Sequence, residues 1–559
     1  MITKNIEHEI KNLFLKKKYK EVIKISEKST TPYKRPSSLA NIIGISKIFK
    51  EDLTEHEAKS ALECFVETNL NEKEGQHGLN GIFHLITISL QLHKKYTSVH
   101  EYIILSEKYY NEAEKTFKNN DKFLRAGFLL FKFLLNHKRL KIIINQILNG
   151  NSQSKILRSW CLFFNNYFYD WSQENHNKQA KINSKYFPKL NSLKIDKKKL
   201  DQNRINLGFV SADFNFNHST TFFIKNTIKY MDKENYKIFI FSFAKENDQD
   251  KSQNELKELA DQWFDLSKEQ NQNVINIIQQ NKIKILVDMM GFTCPERIEI
   301  FNTRISQIQI SWLAYCNTLG FETIDYIIAD PNLISSKEEK LYDEKIIKLP
   351  EVWNAHSGFD YSRIYNKLPS SNSSDFTFGS LNNFQKISIE TLETWLQILK
   401  KSKKFKLILK SSEHCDHTKL SNFFKKNSVD KQVKFLDKKN FKNKKDHLDI
   451  YKKIDLALDT FPYNGVTTTF EALWMNVPVL TLNGYNFNSR CGESIMKNCN
   501  LDFFIASNKE DYINKAHYLV QNKKTLEQYR LNLFENVLSS PLFNTEKFSK
   551  NFSDALLKL

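Results

Sequence analysis

The stretch DLALDTFPYNGVTTTFEALWMNVPVLT, residues 455–481, decides the reading of this chain. An apolar strand, Asp455 to Leu458, runs into the turn Pro462-Tyr463-Asn464-Gly465. The threonine run Thr467 to Thr469 then opens a helix, and a second strand follows from Val477 to Leu482. Such a β-loop-α-β unit puts a polar turn at the C-terminal end of a strand, where open α/β sheets bind their ligands. Free backbone N–H groups and the positive end of the helix dipole favour an anion there. No Gly-Lys-Ser/Thr follows, so the turn is not a P-loop. A phosphate held without that lysine points to a nucleotide-sugar diphosphate rather than to ATP being hydrolysed.

Around this stretch lie 559 residues, too many for one core. No apolar run reaches the length of a membrane span, and the charged start, MITKNIEHEIKNLFLKKKYK, lacks the apolar core of a signal peptide. Seven cysteines without regular spacing argue against a disulfide framework. These features predict a cytoplasmic protein with no membrane span. The net charge of +19 raises nucleic acid as a partner. The lysines are scattered, however, and their densest cluster, Lys438 to Lys445, reads as a solvated face. No nucleic-acid partner is expected.

Residues 1–195 read as helix and linker. Amphipathic runs at Ser38–Lys50, His56–Thr68, Leu79–Lys94 and Val99–Tyr110 suggest paired helices of tetratricopeptide-like type, and Asn175–Lys199 is polar and lysine-rich. From Arg204 strands and helices alternate, which predicts parallel sheets covered by helices. Strands are expected at Ile205–Val210, Lys237–Phe243, Lys284–Met289, Gln309–Leu313, Tyr326–Ile328 and Lys345–Leu349, with an amphipathic helix at Gln253–Trp263. A second series runs through Phe376–Ser380, Lys406–Lys410, Val433–Phe435, Leu456–Leu458 and Val479–Leu482. The fold class is α/β, two doubly wound Rossmann-like lobes at 200–365 and 366–559 behind an all-α region.

Candidate site residues stand at strand ends. His218 follows the first strand of the first lobe and suits proton transfer or phosphate contact, or else caps a turn. After the first strand of the second lobe, Asn383 can read a base edge and Lys386 can neutralise a diphosphate; an ordinary polar turn is the alternative. Ser388 is a plausible N-cap for the next helix. Glu471 either accepts the two ribose hydroxyls or closes a capping box with Thr468. Glu413-His-Cys-Asp-His417 has metal-ligand residue types packed too tightly for a tetrahedral site and reads as a surface loop. Asp-X-Asp pairs are absent from the strand ends, so no metal and no other cofactor are expected. Cys491 and Cys499 read as ordinary helix residues, with nothing beside them to make a thiolate.

These residues carry a resemblance. From Arg204 onward the chain resembles the catalytic region of protein O-linked N-acetylglucosamine transferases, inverting GT-B enzymes preceded by tetratricopeptide repeats, and their bacterial relatives. The segments that carry it are SADF…NHS at 211–219, MGFT…WLAY at 290–315, DYIIAD at 325–330, GSLNNFQK at 379–386, LDTFPYNGVTTTFEALWMNVPVLTL at 458–482 and SSPLFN at 539–544. The resemblance implies that His218 is the active-site histidine near the sugar–phosphate bond and Lys386 the lysine that stabilises the leaving diphosphate. It implies that Asn383 lies near the base and His447 by base and ribose. Gly465, Thr467 and Thr468 fall in the diphosphate-binding turn, and Glu471 stands where a carboxylate binds ribose. The chain departs from the animal members at Tyr315-Cys-Asn-Thr318, where they read Tyr-Pro-Gly-Thr, and at Val466, where they have histidine. It also lacks the long domain inserted between their lobes.

The function so implied is inverting, metal-independent transfer of N-acetylglucosamine from UDP-N-acetylglucosamine to Ser or Thr hydroxyls of proteins. The helical region would present the acceptor protein. Alternatives are another donor (GDP-fucose or UDP-glucose), a non-protein acceptor, or a repeat scaffold without catalysis.

Overall fold

The computed structural model describes residues 4–50, 52–194, 203–215, 218–362, 367–411, 415–437, 441 and 443–559. The chain divides into two compact units: residues 1–154 with 412–420, and residues 155–411 with 421–559.

The first unit is helical: α1 (Lys4–Leu15), α2 (Tyr19–Ser29), α3 (Ser37–Ile48), α4 (Glu55–Asn71), α5 (Gln76–His93), α6 (His100–Phe117), α7 (Asp121–Phe133) and α8 (His137–Asn149). Successive helices pack side by side, α3 on α4, α4 on α5 and α7 on α8. Their starts are set by side chains that satisfy the first free amides. Thr54 and Glu57 form a capping box on α4, while Asn120 and Asn136 cap α7 and α8. Ile10, Val22, Leu39, Ile43 and Cys64 form one buried cluster of this unit.

The unit ends at Ser154, earlier than the expected helical region. Two further helices, α9 (Lys155–Asn165) and α10 (Gln173–Ser184), lie in the second unit. Polar side chains of both hold them there: Gln173 donates to Asn317 at 2.7 Å and His176 meets the Tyr315 hydroxyl at 2.9 Å. The rest of the expected linker lies partly outside the described residues.

The second unit holds two parallel sheets. Strands β1 (Ile205–Ser211), β2 (Tyr236–Ser242), β3 (Gln262–Asp265), β4 (Ile285–Asp288), β5 (Ile308–Ser311), β6 (Tyr326–Ala329) and β7 (Lys345–Lys348) assemble in the order β3-β2-β1-β4-β5-β6-β7. The second sheet contains β8 (Phe376–Ser380), β9 (Phe405–Lys410), β10 (Val433–Leu436), β11 (Leu456–Leu458), β12 (Val479–Leu482) and β13 (Ile505–Ala506), ordered β10-β9-β8-β11-β12-β13. In both sheets the order reverses beside the first strand, between β1 and β4 and between β8 and β11. Brändén's switch-point rule therefore places ligand sites at the loops after β1, β8 and β11.

Helices α11 (Ser219–Lys229), α12 (Lys251–Leu259) and α13 (Asn271–Gln280) belong to the first lobe. Helices α14 (Ile389–Lys400), α15 (Thr418–Lys426), α16 (Lys444–Asp449), α17 (Thr467–Trp474), α18 (Phe487–Lys497), α19 (Lys509–Gln521) and α20 (Lys523–Ser539) follow β8 in sequence. The last helix, α21 (Thr545–Leu557), returns to the first lobe. There Ser549 donates to Thr227, Tyr236 donates to Ser553, and Phe552 packs on Trp312 at 4.7 Å between ring centroids.

Two strands depart from expectation. The helix read over Gln253–Trp263 stops at Leu259, and the polar, half-exposed QWFD segment becomes the edge strand β3. The two-residue β13 is too short to show a period. None of the described helices is long and apolar enough to cross a membrane.

Candidate donor site between the two lobes

The loops after β1, β8 and β11 converge on one cavity of about 460 Å³. The first lobe contributes Asp213, His218, Thr293, Cys316 and Asn354, and the second Asn382, Asn383, Lys386, Tyr463, Thr467 and Thr468. A larger hollow of about 700 Å³ on the first lobe, beside Lys181 and Gly320, holds none of the predicted residues.

The turn after β11 is organised by Asp459, which is buried. Its carboxylate accepts the amides of Gly465 (2.7 Å) and Thr460 (2.9 Å) and the hydroxyl of Thr481 (2.8 Å). Burial lifts its pKa to about 6, against the pull of those bonds and of Lys386. Gly465 is needed for space: a Cβ there would meet Thr468 Oγ1 at 2.4 Å and Asn382 Oδ1 at 2.7 Å. Its N–H is taken by Asp459, so it is not one of the free donors expected in the turn, and it does not line the cavity.

Helix α17 starts where the cavity begins. Its first amides have no intrahelical partner, and Thr467 and Thr468 line the cavity. Val466 is the N-cap and makes no side-chain cap bond, so the capping box between Thr468 and Glu471 does not form. Thr468 Oγ1 instead donates to Asn382 Oδ1 at 2.8 Å.

Lys386 brings the cation. Its Nζ donates to the Asn464 carbonyl at 3.0 Å and lies 4.5 Å from the Tyr463 ring centroid. Burial lowers its pKa, with Asp459 acting against that shift. Asn383, exposed, caps the short helical turn at Phe384–Lys386 by accepting from the Gln385 amide at 3.1 Å. Ser388 caps α14 as expected, accepting from Thr391 at 3.1 Å.

His218 is the N-cap of α11. Nδ1 accepts from the Thr220 amide at 3.4 Å, which assigns the proton to Nε2, 3.6 Å from Asp213 Oδ1. Burial raises the Asp213 pKa and His218 opposes it. His218 thus caps the start of α11 and also lines the cavity.

Glu471 and His447 lie outside the cavity lining, in a buried charge cluster beside α17. His447 Nε2 donates to Glu471 Oε2 at 2.8 Å, Lys410 Nζ donates to His447 Nδ1 at 2.9 Å, and Lys444 pairs with Glu471 Oε1. Tyr451 donates to the Thr468 carbonyl at 3.0 Å and reaches Glu471 at 3.4 Å. Burial alone would raise the Glu471 carboxyl, but His447 and Lys444 hold it well below the usual carboxylate range. Of the two partners of Glu471, Lys444 has the more exposed side chain, 44% against 9% for His447.

Five of the eight predicted residues, His218, Asn383, Lys386, Thr467 and Thr468, therefore share the cavity. Sequence reasoning missed Asp213, Asn382, Tyr463 and Lys444, although each stands within a few residues of one it singled out. Of the candidate metal cluster, Glu413 and His414 lie outside the described residues, and Asp416 caps Thr418 at 2.9 Å. No group of three or more metal-ligating side chains occurs among the described residues.

Two parallel, doubly wound lobes with a cavity at facing switch points define a GT-B-type fold, here behind an all-helical region. The chain belongs to glycosyl transferase family 41, matched over residues 183–369 and 361–552. It is 28% identical over 385 residues to the tomato (Solanum lycopersicum) "Probable UDP-N-acetylglucosamine--peptide N-acetylglucosaminyltransferase SPINDLY", covering 68% of this chain and 41% of that protein. It is 21% identical over 469 residues to the Caenorhabditis elegans UDP-N-acetylglucosamine--peptide N-acetylglucosaminyltransferase, covering 63% and 40%. The chain thus spans about two fifths of the length of these curated relatives. Its fold is that of a Thermobaculum terrenum O-GlcNAc transferase mutant, with a TM-score of 0.77, 20% identity and coverage of 94% of this chain and 98% of that one.

Proposed function

We propose that this protein transfers N-acetylglucosamine from UDP-N-acetylglucosamine to Ser or Thr hydroxyls of proteins, with inversion and without a metal. The observation that carries the reading is the meeting of Lys386, Thr467 and Thr468 with His218 and Asp213 in one interlobe cavity. The names of the relatives support the donor and the peptide acceptor.

The diphosphate sits at the start of α17, against the Lys386 ammonium. As the bond from the anomeric carbon to the diphosphate breaks, its electron pair leaves with UDP. Lys386 and the helix N-terminus stabilise that growing charge. The acceptor hydroxyl attacks the opposite face and forms the new carbon–oxygen bond. Its proton departs toward the Asp213–His218 pair. With its proton on Nε2, His218 orients Asp213 or the donor; Asp213, its pKa raised by burial, is the group with room for a proton. At the nucleoside end Asn383 and His447 face the base, and Glu471 takes the ribose hydroxyls once Lys444 swings off its carboxylate. The helical region presents the acceptor protein.

Calorimetry with UDP and GDP, without added metal, tests the donor, using Lys386→Ala as control. UDP binding weakened by the substitution is the expected result. Preference for GDP moves the donor to fucose, and binding of neither favours a scaffold.

A further inference from the structure

The first-lobe wall of the donor cavity carries an amide without a partner. Trp353 and Asn354, shortly after β7, line the cavity and are 0% and 1% exposed. Trp353 Nε1 and both polar atoms of the Asn354 side chain have no hydrogen-bond partner among the described residues. Of the described residues that line the cavity, only these two hold buried side-chain atoms in that condition. Other polar groups of the lining are engaged: Thr293 donates to the Met290 carbonyl at 2.7 Å, and Asn382 donates to Asp459 at 3.3 Å. Buried amides are ordinarily bonded, and leaving one unpaired costs the free protein stability.

The segment around that amide is tightly built. The Trp353 N–H donates to Asp330 Oδ2 at 3.1 Å, and its carbonyl accepts from Trp312 Nε1 at 2.9 Å. Asp330 in turn accepts from Ser494 of the second lobe at 2.6 Å. Beyond Asn354, the His356 N–H donates to the Leu542 carbonyl at 2.8 Å and the Ser357 N–H to that of Phe222 at 3.0 Å. Backbone bonds thus pin the chain on both sides of Asn354. Its carboxamide alone can turn to follow a ligand, about a torsion with broad wells.

We propose that Asn354 binds two adjacent hydroxyls of the transferred sugar. The inference rests on the donor site proposed above. With the diphosphate at the start of α17 and His218 and Asp213 across the cavity, the sugar lies against Leu313, Ala314, Trp353 and Asn354. A carboxamide offers an acceptor oxygen and a donor NH2 side by side in one plane. Neighbouring ring hydroxyls match that edge, one donating to Oδ1 and the other accepting from Nδ2. An acetamido group matches it poorly, because a trans amide turns its N–H and C=O to opposite sides. Trp353 has a single donor and cannot read a pair. The cost of the unpaired amide is recovered when the sugar supplies both partners.

Calorimetry on the full chain tests this with UDP, UDP-N-acetylglucosamine and UDP-glucose, for the parent and for Asn354→Leu. Leucine keeps the branching and loses the hydrogen bonds; UDP-glucose keeps the adjacent hydroxyls and lacks the acetamido group. The variant should bind UDP as the parent does, and both nucleotide sugars about 10-fold or more weakly. Asn354→Ala, which cannot overpack the wall, should show the same split and replaces the leucine variant if that one does not fold. Equal weakening of UDP and its sugars would overturn the proposal, as would a loss confined to UDP-N-acetylglucosamine. If the parent binds no UDP, the donor reading falls and this contact with it. If the parent binds UDP and neither variant shows a sugar-dependent loss, this contact alone falls.

Discussion

Lys386 and Asn464 are 3.0 Å apart, the ammonium donating to the backbone carbonyl of the turn that follows β11. The strand-end loop of β8 and that of β11 are thus joined by the cation itself, which is in place before any ligand arrives. Replacing Lys386 by Ala should lower turnover by about 10² or more, the scale of losing a charge-stabilising donor. Steady-state rates on a folded variant check this, and parent-like rates would remove Lys386 from the mechanism.

Gly465→Ala tests the turn as a packed object. Its Cβ has no room beside Thr468 and Asn382. Overpacking of this kind costs about 1–3 kcal/mol. Denaturant titration should show that loss, and UDP affinity should weaken with it because Thr468 must move.

Stability should depend on pH through Asp288. Burial raises its pKa from 3.8 to about 7, against the amides of Met290 and Gly291 that it accepts. The folded state therefore keeps a proton that the unfolded state has released between those values. Unfolding free energy should fall as pH rises through that window and level above it. Asp330 and Asp459, each lifted to about 6 by burial, act in the same direction. In Asp288→Asn the decline should end near pH 6; denaturation midpoints across the range decide the matter.

Glu471→Gln removes the charge that Lys444 and His447 share. Breaking an ion pair costs about 3–5 kcal/mol when the pair is fully buried. Partial exposure of Lys444 brings the expected loss below that range. Calorimetry should also show weaker UDP binding, and unchanged affinity would exclude a role for the carboxylate at the ribose.

Turnover is expected to be the same with and without a chelator. Activity lost to the chelator and restored only by manganese would overturn the metal-free mechanism.

The sequence made the β1, β8 and β11 ends legible because each is a short apolar run ending in polar residues, and alternation with helices implies parallel strands. His218, Lys386 and Thr467 were found on that ground, aided by resemblance. Long-range partnerships were not legible. The carboxylate of Glu471 meets Lys444 and His447, 27 and 24 residues away, and the capping box that the Thr468–Glu471 spacing suggested is absent because the helix starts from Val466. The resemblance puts Gly465 in the diphosphate-binding turn, whereas its N–H is taken by Asp459, six residues earlier. The edge strand β3 has too few apolar residues to show a period of two.

The return of α21 to the first lobe carries a consequence for biosynthesis. Trp312, 1% exposed, is covered by Phe548 and Phe552, and Thr227 and Tyr236 bond to Ser549 and Ser553. All four of those partners leave the ribosome more than 300 residues after β1 has been made, as the separations of 317 and 322 residues in these bonds require. A nascent first lobe must wait with an aromatic patch uncovered until the second has been translated, the condition in which chaperones are recruited. Chains that stop before Thr545 should accordingly aggregate on synthesis, with every strand of both sheets present.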